Sequence, residues 1–208
     1  MALRPASEVF PGFDRLYLLG EPGTSRAFRA DLALSIDQAF AITRAESHPD
    51  EPVRAKWSMG GRQPTDMIWT RIAAPVLVND RVIGLLEALG ARGWNTYRIE
   101  LVGRDGDKVS GYRGLSVHGR CGGIDNSRSV KVMKRYPGGV FPEWRGLFFD
   151  PETWDGSELF MPAGRPGWIF AVDEVRQAFQ AAKIKNVVFE PLDGIERLPA
   201  EMRVSTDP

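Results

Sequence analysis

Cysteine and histidine are scarce in this chain of 208 residues: one thiol, Cys121, and two imidazoles, His48 and His118. A single thiol forms no intramolecular disulfide, which points to a reducing compartment. Three soft ligands fall short of the four that a structural zinc site uses, so no metal is expected, although His118 and Cys121 stand three apart. Net charge is also missing, with 27 basic residues against 27 acidic ones. That balance removes the general positive field a nucleic-acid binder relies on, so nucleic acid is not the expected partner. No apolar run approaches the roughly twenty residues that span a bilayer. The start, MALRPASEVFPGFDRLYLL, has no continuous apolar stretch after a basic opening. No membrane association is expected, and the cytoplasm is the expected location. The phosphate-cradling patterns G-x-x-x-x-G-K-[ST] and G-x-G-x-x-G are absent, and no cofactor is expected.

Apolar residues are plentiful at 43%, enough for a packed core. Two stretches resemble each other. Residues 75–101 read PVLVNDRVIGLLEALGARGWNTYRIEL, and residues 166–192 read PGWIFAVDEVRQAFQAAKIKNVVFEPL. Each has an apolar run, a capping residue, an amphipathic helix, a break and a second apolar run. In the first, Asn79 or Asp80 can cap the helix by accepting from free amides at its start. Val82, Leu85, Leu86 and Leu89 then make one apolar face. Gly90 and Gly93 suit a left-handed stop. In the second, Asp173 is the expected cap and Val175, Ala178, Phe179 and Ala182 the buried face. Any amphipathic helix between two strands gives this pattern, so the likeness does not require an internal duplication.

Elsewhere, Asp14 to Gly20 reads as a strand, and Ser47 to Gly61, with Pro49 and Pro52, as an exposed loop. Phe28 to Ile42 fits neither period. MIWT (67–70) reads as a short buried strand. Asp105-Gly106 is a tight-turn signal, so Lys108 to Val117 is expected to pair back as a hairpin. Pro137-Gly138-Gly139 marks a turn, and Arg145 to Asp150 and Trp168 to Val172 read as strands. Strands outnumber long helices. The expected fold is α+β: a mixed, mainly antiparallel sheet with two amphipathic helices in strand–helix–strand units. Residues 64–198 form the main domain. Residues 1–63 form an N-terminal region, whether packed on it, part of its sheet or a partner-specific arm, and 199–208 a polar tail.

Chemistry-bearing residues fall in three places. Cys121 has His118 nearby, Arg120 beside it and Asp125 four residues on. A thiolate favoured by Arg120, with His118 or His48 as base, would make a small cysteine enzyme. Gly119, Gly122 and Gly123 would let a substrate approach. No local cysteine-hydrolase signature accompanies them, and a lone cysteine serves more often as a small buried hydrophobe. The second place is basic: Arg113, Arg120, Arg128, Lys131, Lys134 and Arg135, flanked by Tyr112 and Tyr136. Such residues bind phosphate and stack bases, or form a solvated face. The third is acidic and aromatic: Asp150, Glu152, Trp154, Asp155 and Glu158. Carboxylates around a tryptophan suit a basic partner. Alternatively, Asp150 caps a short turn beginning at Pro151, and Trp154 packs inward.

PTDMIWT, the first strand–helix–strand unit, GYRGLSVHGRCGGIDNSRS, LFFDPETWDGSELFMP and IFAVDEVRQAFQAAKIKNVVFEPL together resemble the polymorphic-toxin immunity proteins of immunity family eleven. That family was first described as a domain of unknown function in myxobacteria. The pieces span about two-thirds of the chain. The first sixty residues contribute none of them. The resemblance implies a cytoplasmic protein without catalytic activity. It would neutralise a cognate protein toxin by covering or distorting the toxin's active site. A toxin with a basic active site would meet the acidic–aromatic segment, 150–158; an acidic toxin would meet the basic connector.

Overall fold

The computed structural model describes residues 13–23, 26–70, 75–165 and 167–197. The polar tail from Pro199 lies outside these residues. In chain order the strands are β1 Leu16–Gly20, β2 Arg29–Leu32, β3 Val53–Met59, β4 Met67–Ile68, β5 Val76–Asn79, β6 Trp94–Val102, β7 Lys108–Val109, β8 Tyr112–Val117, β9 Gly119–Cys121, β10 Val130–Tyr136, β11 Gly139–Arg145, β12 Leu159–Pro162, β13 Phe170–Val172, β14 Val188–Pro191 and β15 Glu196–Arg197. The helices are α1 Ile36–Thr43, α2 Asp80–Ala88 and α3 Asp173–Ala181.

The fold is α+β, with three sheets. One runs β14-β1-β13-β12-β9. A second runs β2-β3-β6-β8-β5-β4, with β7 also paired to β6. The third runs β10-β11-β15. Among the named ladders, β3–β6 and β9–β12 are parallel and the others antiparallel. Residues 1–63 were expected to pack on the main domain, join its sheet or form an arm. The described part joins the sheets: β1 lies between β13 and β14, and β2 and β3 extend the second sheet.

Both strand–helix–strand units are split. β5 and β6 do not touch; β8 lies between them and is antiparallel to each. β13 and β14 are likewise separated by β1, antiparallel to each. The strand that fills the gap follows the first unit in the chain and precedes the second. The likeness seen in sequence is therefore a likeness of topology as well.

Asn79, rather than Asp80, caps α2, its Oδ1 accepting from the Val82 N–H at 3.1 Å. Asp173 does not cap α3. The cap position is Val172, which offers no side-chain bond. Asp173 is the first helical residue and accepts from Arg176 Nε at 2.6 Å and Gln177 Nε2 at 2.7 Å. A carboxylate in the first turn still faces the positive end of the helix dipole. The Asp105-Gly106 turn does reverse the chain, and β7 and β8 pair with β6 in succession.

Two further readings need correction. The segment from Ser47 to Gly61 is not all loop, because β3 occupies 53–59. Its buried Val53 and Ala55 alternate with exposed Arg54 and Lys56, the period of a strand with one wet face. The prolines lie just before it and stop nothing inside it. Conversely, Arg145 to Asp150 is not a strand. β11 ends at Arg145, and Leu147, Phe148 and Phe149 are buried without a ladder. Their backbone bonds go instead to a turn and a loop: Leu147 N–H to Leu192 O at 2.8 Å, and Asp125 N–H to Phe148 O at 2.7 Å.

The five-stranded sheet is apolar on both faces. Leu159, Met161 and Ala171 point into a core shared with Val82, Ile83 and Leu86 of α2 and Val175 and Phe179 of α3. Phe160 and Phe170, one residue out of phase, join Phe13, Phe148 and Phe149 on the opposite face. A strand buried on both sides reads as a continuous apolar run, as WIFAV and LFMP do. On the second sheet, α1 covers Val53 and Tyr97 through Ile42.

Candidate interaction surface

The acidic–aromatic segment is built into the fold. Asp150 Oδ1 accepts from the Glu152 N–H at 3.1 Å, and Pro151 opens a single turn of 3-10 helix. Trp154 is half-buried and stacks at 5.1 Å between ring centres on Phe160. Its indole N–H donates to Ser157 O at 3.1 Å. Asp155 accepts from the Arg120 N–H at 2.8 Å and the Ser157 N–H at 2.9 Å. Glu158 accepts from the Arg92 N–H at 2.7 Å and pairs with its guanidinium at 3.3 Å. Burial works against charge on Glu158, but Arg92 outweighs it and the carboxyl sits below its ordinary range. The capped turn with an inward tryptophan, offered from sequence as the alternative, is the arrangement found. Asp150, Glu152 and Asp155 are exposed and form no ion pair among the described residues, and of the three Asp155 is held by two backbone amides.

Cys121 ends β9 and is buried in the aromatic cluster. Burial pushes its thiol up to about 12, and the neighbouring Asp155 carboxylate adds to the shift. A nucleophilic cysteine needs the reverse. His118 precedes β9 and is exposed, as is His48 on the loop after α1. Arg120 does not face the thiol. Its guanidinium donates to Val117 O at 2.7 Å, Gly119 O at 2.9 Å and Arg44 O. Asp125 caps the turn at 126–128, accepting from the Ser127 N–H at 3.0 Å, and pairs with Arg128 at 2.7 Å. Two of the three glycines are occupied by close packing, and only Gly123 is open. A Cβ on Gly119 would stand 2.2 Å from Leu159 O, and one on Gly122 2.7 Å from Thr153 Oγ1.

The basic residues are dispersed. Arg120 and Arg128 are bound as described. Lys134 reaches Glu196 at 2.5 Å and Glu143 at 3.5 Å. Tyr112 donates to Thr65 O at 2.7 Å.

The β10–β11 hairpin was missed by sequence reasoning, as were α1, β2 and β3. Its seven pairs run from Val130↔Arg145 to Tyr136↔Gly139 around Pro137-Gly138. The turn signal was visible, but Lys131, Lys134, Arg135 and Tyr136 were read only as members of a basic, tyrosine-flanked cluster. Met133 (61%), Val140 (49%), Phe141 (47%) and Tyr136 (39%) stand exposed on it. These are half of the large apolar side chains exposed among the described residues, gathered on one hairpin. One face carries Lys131, Met133 and Arg135 beside Val140, Pro142 and Trp144. The other carries Lys134, Tyr136, Phe141 and Glu143.

The base of the hairpin is braced by hydrogen bonds. Buried Arg197 donates to Gly146 O at 2.8 Å, Ser129 Oγ at 3.0 Å and Asn126 Oδ1 at 3.2 Å. Buried Glu143 accepts from the Tyr136 hydroxyl. The exposed apolar side chains form two small pairs on opposite faces, Met133 with Val140 and Tyr136 with Phe141, and exposed apolar groups gathered on one braced element mark a protein-binding surface.

A cavity of about 1060 Å³ opens beside α1, with Leu32, Leu34, Ala39, Ala55 and Thr70 among its lining. No residue singled out from sequence lines it. Among the described residues, no group of three or more His, Cys, Asp or Glu is placed to hold a metal ion. No helix among them is long and apolar enough to cross a membrane. No protein-family model matches the chain, and no curated protein matches it.

Proposed function

We propose that this chain is an immunity protein that binds a cognate protein toxin in the cytoplasm and neutralises it by occlusion, without catalysis. The observation that carries the binding surface is the β10–β11 hairpin, with Met133, Tyr136, Val140 and Phe141 exposed on a pinned base. Interfaces draw most of their energy from a few such anchors, ringed by polar groups that exclude water. The toxin as partner comes from the resemblance to immunity family eleven. We place the contact on the hairpin in preference to the acidic segment, because Trp154, Asp155 and Glu158 are spent on internal bonds. The reading as a cysteine enzyme has less support, since burial disfavours the Cys121 thiolate.

The test is growth rescue. The chain is co-expressed in a heterologous bacterium with the product of the gene directly upstream of its own. Restored growth and a co-purifying complex are expected. A neighbour that kills regardless of the chain overturns the reading. Met133→Ser with Phe141→Ser is expected to abolish rescue while thermal unfolding stays within a degree or two, since both side chains are solvent-exposed.

A further inference from the structure

We infer that the outer edge of β10 receives an extended acidic strand from the partner protein, extending the β10-β11-β15 sheet. The inference rests on the partner-binding reading and names the chemistry of the contact. β10 ends the sheet order, so its outer edge has no neighbour among the described residues. Exposed edges are templates for pairing and are ordinarily blunted by proline, a bulge, short length or charge. β10 has none of the first three: it is seven residues long, free of proline and paired to β11 without a register shift, so only its charge protects it from the wrong partner.

What remains on β10 is charge of one sign. Lys134 is taken up by Glu196 and Glu143. Lys131 and Arg135 are exposed, lie two residues either side of Met133 on the same face, and have no ion-pair partner among the described residues. This spacing decides the occupant. A symmetric pairing of two copies must be antiparallel. Centred on Met133, it sets Lys131 opposite Arg135 twice, and like charges directly opposite destabilise a ladder. A partner strand with carboxylates two residues either side of an apolar residue turns both repulsions into attractions. Main-chain bonds then supply affinity, and the alternating side chains supply specificity.

The chain itself provides the probe. Lys131→Glu with Arg135→Glu makes β10 the acidic strand the inference calls for. The unmodified protein and this double variant are each expected to sediment as monomers. Mixed, they are expected to form a heterodimer in which amide exchange at 131–135 slows at least about tenfold, and high salt is expected to weaken it. A mixture that stays monomeric overturns the inference, as does a heterodimer in which those amides exchange freely. A dimer of the unmodified protein protected along β10 overturns the choice of occupant. Should the double variant not fold, Lys131→Gln with Arg135→Gln removes the repulsion and is expected to self-associate through β10; a strictly monomeric neutral variant overturns the inference equally. No toxin enters this experiment, so its failure and a failed growth rescue are separate results.

Discussion

Asp66 accepts a hydrogen bond from the backbone N–H of Lys185 at 2.7 Å, across 119 residues of chain. The same carboxylate takes Asn79 Nδ2 at 2.9 Å and pairs with Arg81 at 3.3 Å. Asn79 caps α2, and Lys185 lies just past the end of α3. One buried side chain thus joins the two split units. Arg81 adds a bond to Ala182 O at the end of α3. Asp66→Ala strands several donors in a part-buried site, where an unmade bond to a charged group costs about 1–3 kcal/mol. The expected loss is about 3 kcal/mol, read as a lower urea midpoint with unchanged slope. A midpoint shift equivalent to only about a few tenths of a kcal/mol through the unchanged slope would show that the clamp is not structural.

Gly119 lies where β9 passes β12. A Cβ there meets Leu159 O at 2.2 Å and Ser157 Cβ at 2.7 Å, and neither can swing away as the end of a long side chain would. Gly119→Ala is therefore expected to cost about 1–3 kcal/mol through overpacking. Gly90→Ala makes a useful comparison. Its Cβ meets nothing within 4 Å, but its φ of +67° carries strain, and a cost of about 1 kcal/mol is expected. Thermal unfolding of the pair separates close approach from backbone strain.

Trp154 distinguishes packing from binding. Its ring lies on Phe160 in the aromatic core. Trp154→Ala is expected to lower stability by about 2 kcal/mol, less than for a fully buried tryptophan because the ring is half-exposed. Once refolded at low temperature, the variant is expected to keep its affinity for the partner. Lost affinity at unchanged stability would return the acidic segment to the interface.

Cys121 is expected to resist alkylation. With its thiol at about 12, the thiolate fraction near neutral pH is very small, and the side chain is closed to reagent. Iodoacetamide labelling at pH 8 is expected to be slow in the folded protein and to rise by orders of magnitude in urea, where an ordinary thiol titrates near 8.5. Fast labelling of the folded chain would revive the cysteine as a nucleophile.

Glu196 ties β15 to the hairpin. Lys134, then Arg145, hold its carboxyl down to about 2 from an ordinary 4.5. A group whose folded pKa is depressed stabilises above its unfolded pKa, and the benefit is lost as pH falls through the folded value. The contact is therefore expected at full strength above about pH 5 and to fade toward pH 2. Amide exchange at Trp144 and Arg145, extrapolated to a common intrinsic rate, would show this as falling protection below about pH 4.5. Glu196→Gln is expected to flatten the profile; an unchanged profile would rule out this ion pair as its cause.

Much of the local structure was legible in the chain. Val82, Leu86, Val175 and Phe179 recur at helical spacing because one helix face is buried, and that burial is written in period. β1 and β13 read as apolar runs for the same reason. The Asp105-Gly106 and Pro137-Gly138 turns announced themselves through residues suited to unusual backbone angles. β3 was hidden because its prolines lie immediately before it, and its single wet face dilutes the apolar signal. The Leu147–Phe149 run looked like a strand because apolar composition reports burial, and burial does not need a ladder.

The candidate surface divides along the same line. Sequence placed charged and aromatic side chains between 113 and 158 but could not say which were already engaged. Asp155 and Glu158 are taken by Arg120 and Arg92, and Lys134 by Glu196. Met133, Val140 and Phe141 are left largely in solvent, and Tyr136 is partly so, its hydroxyl bonded to Glu143. The chain alone determined an α+β architecture and two of its three helices, α2 and α3, since side-chain period follows from the geometry of a single element; α1 was not read. Tertiary structure decided that β8 and β1 split the two units, that Cys121 lies in a dry aromatic core, and that β10 is an edge. Those outcomes depend on which distant segments meet, and a ladder partner or an ion pair leaves no period in the sequence of either member.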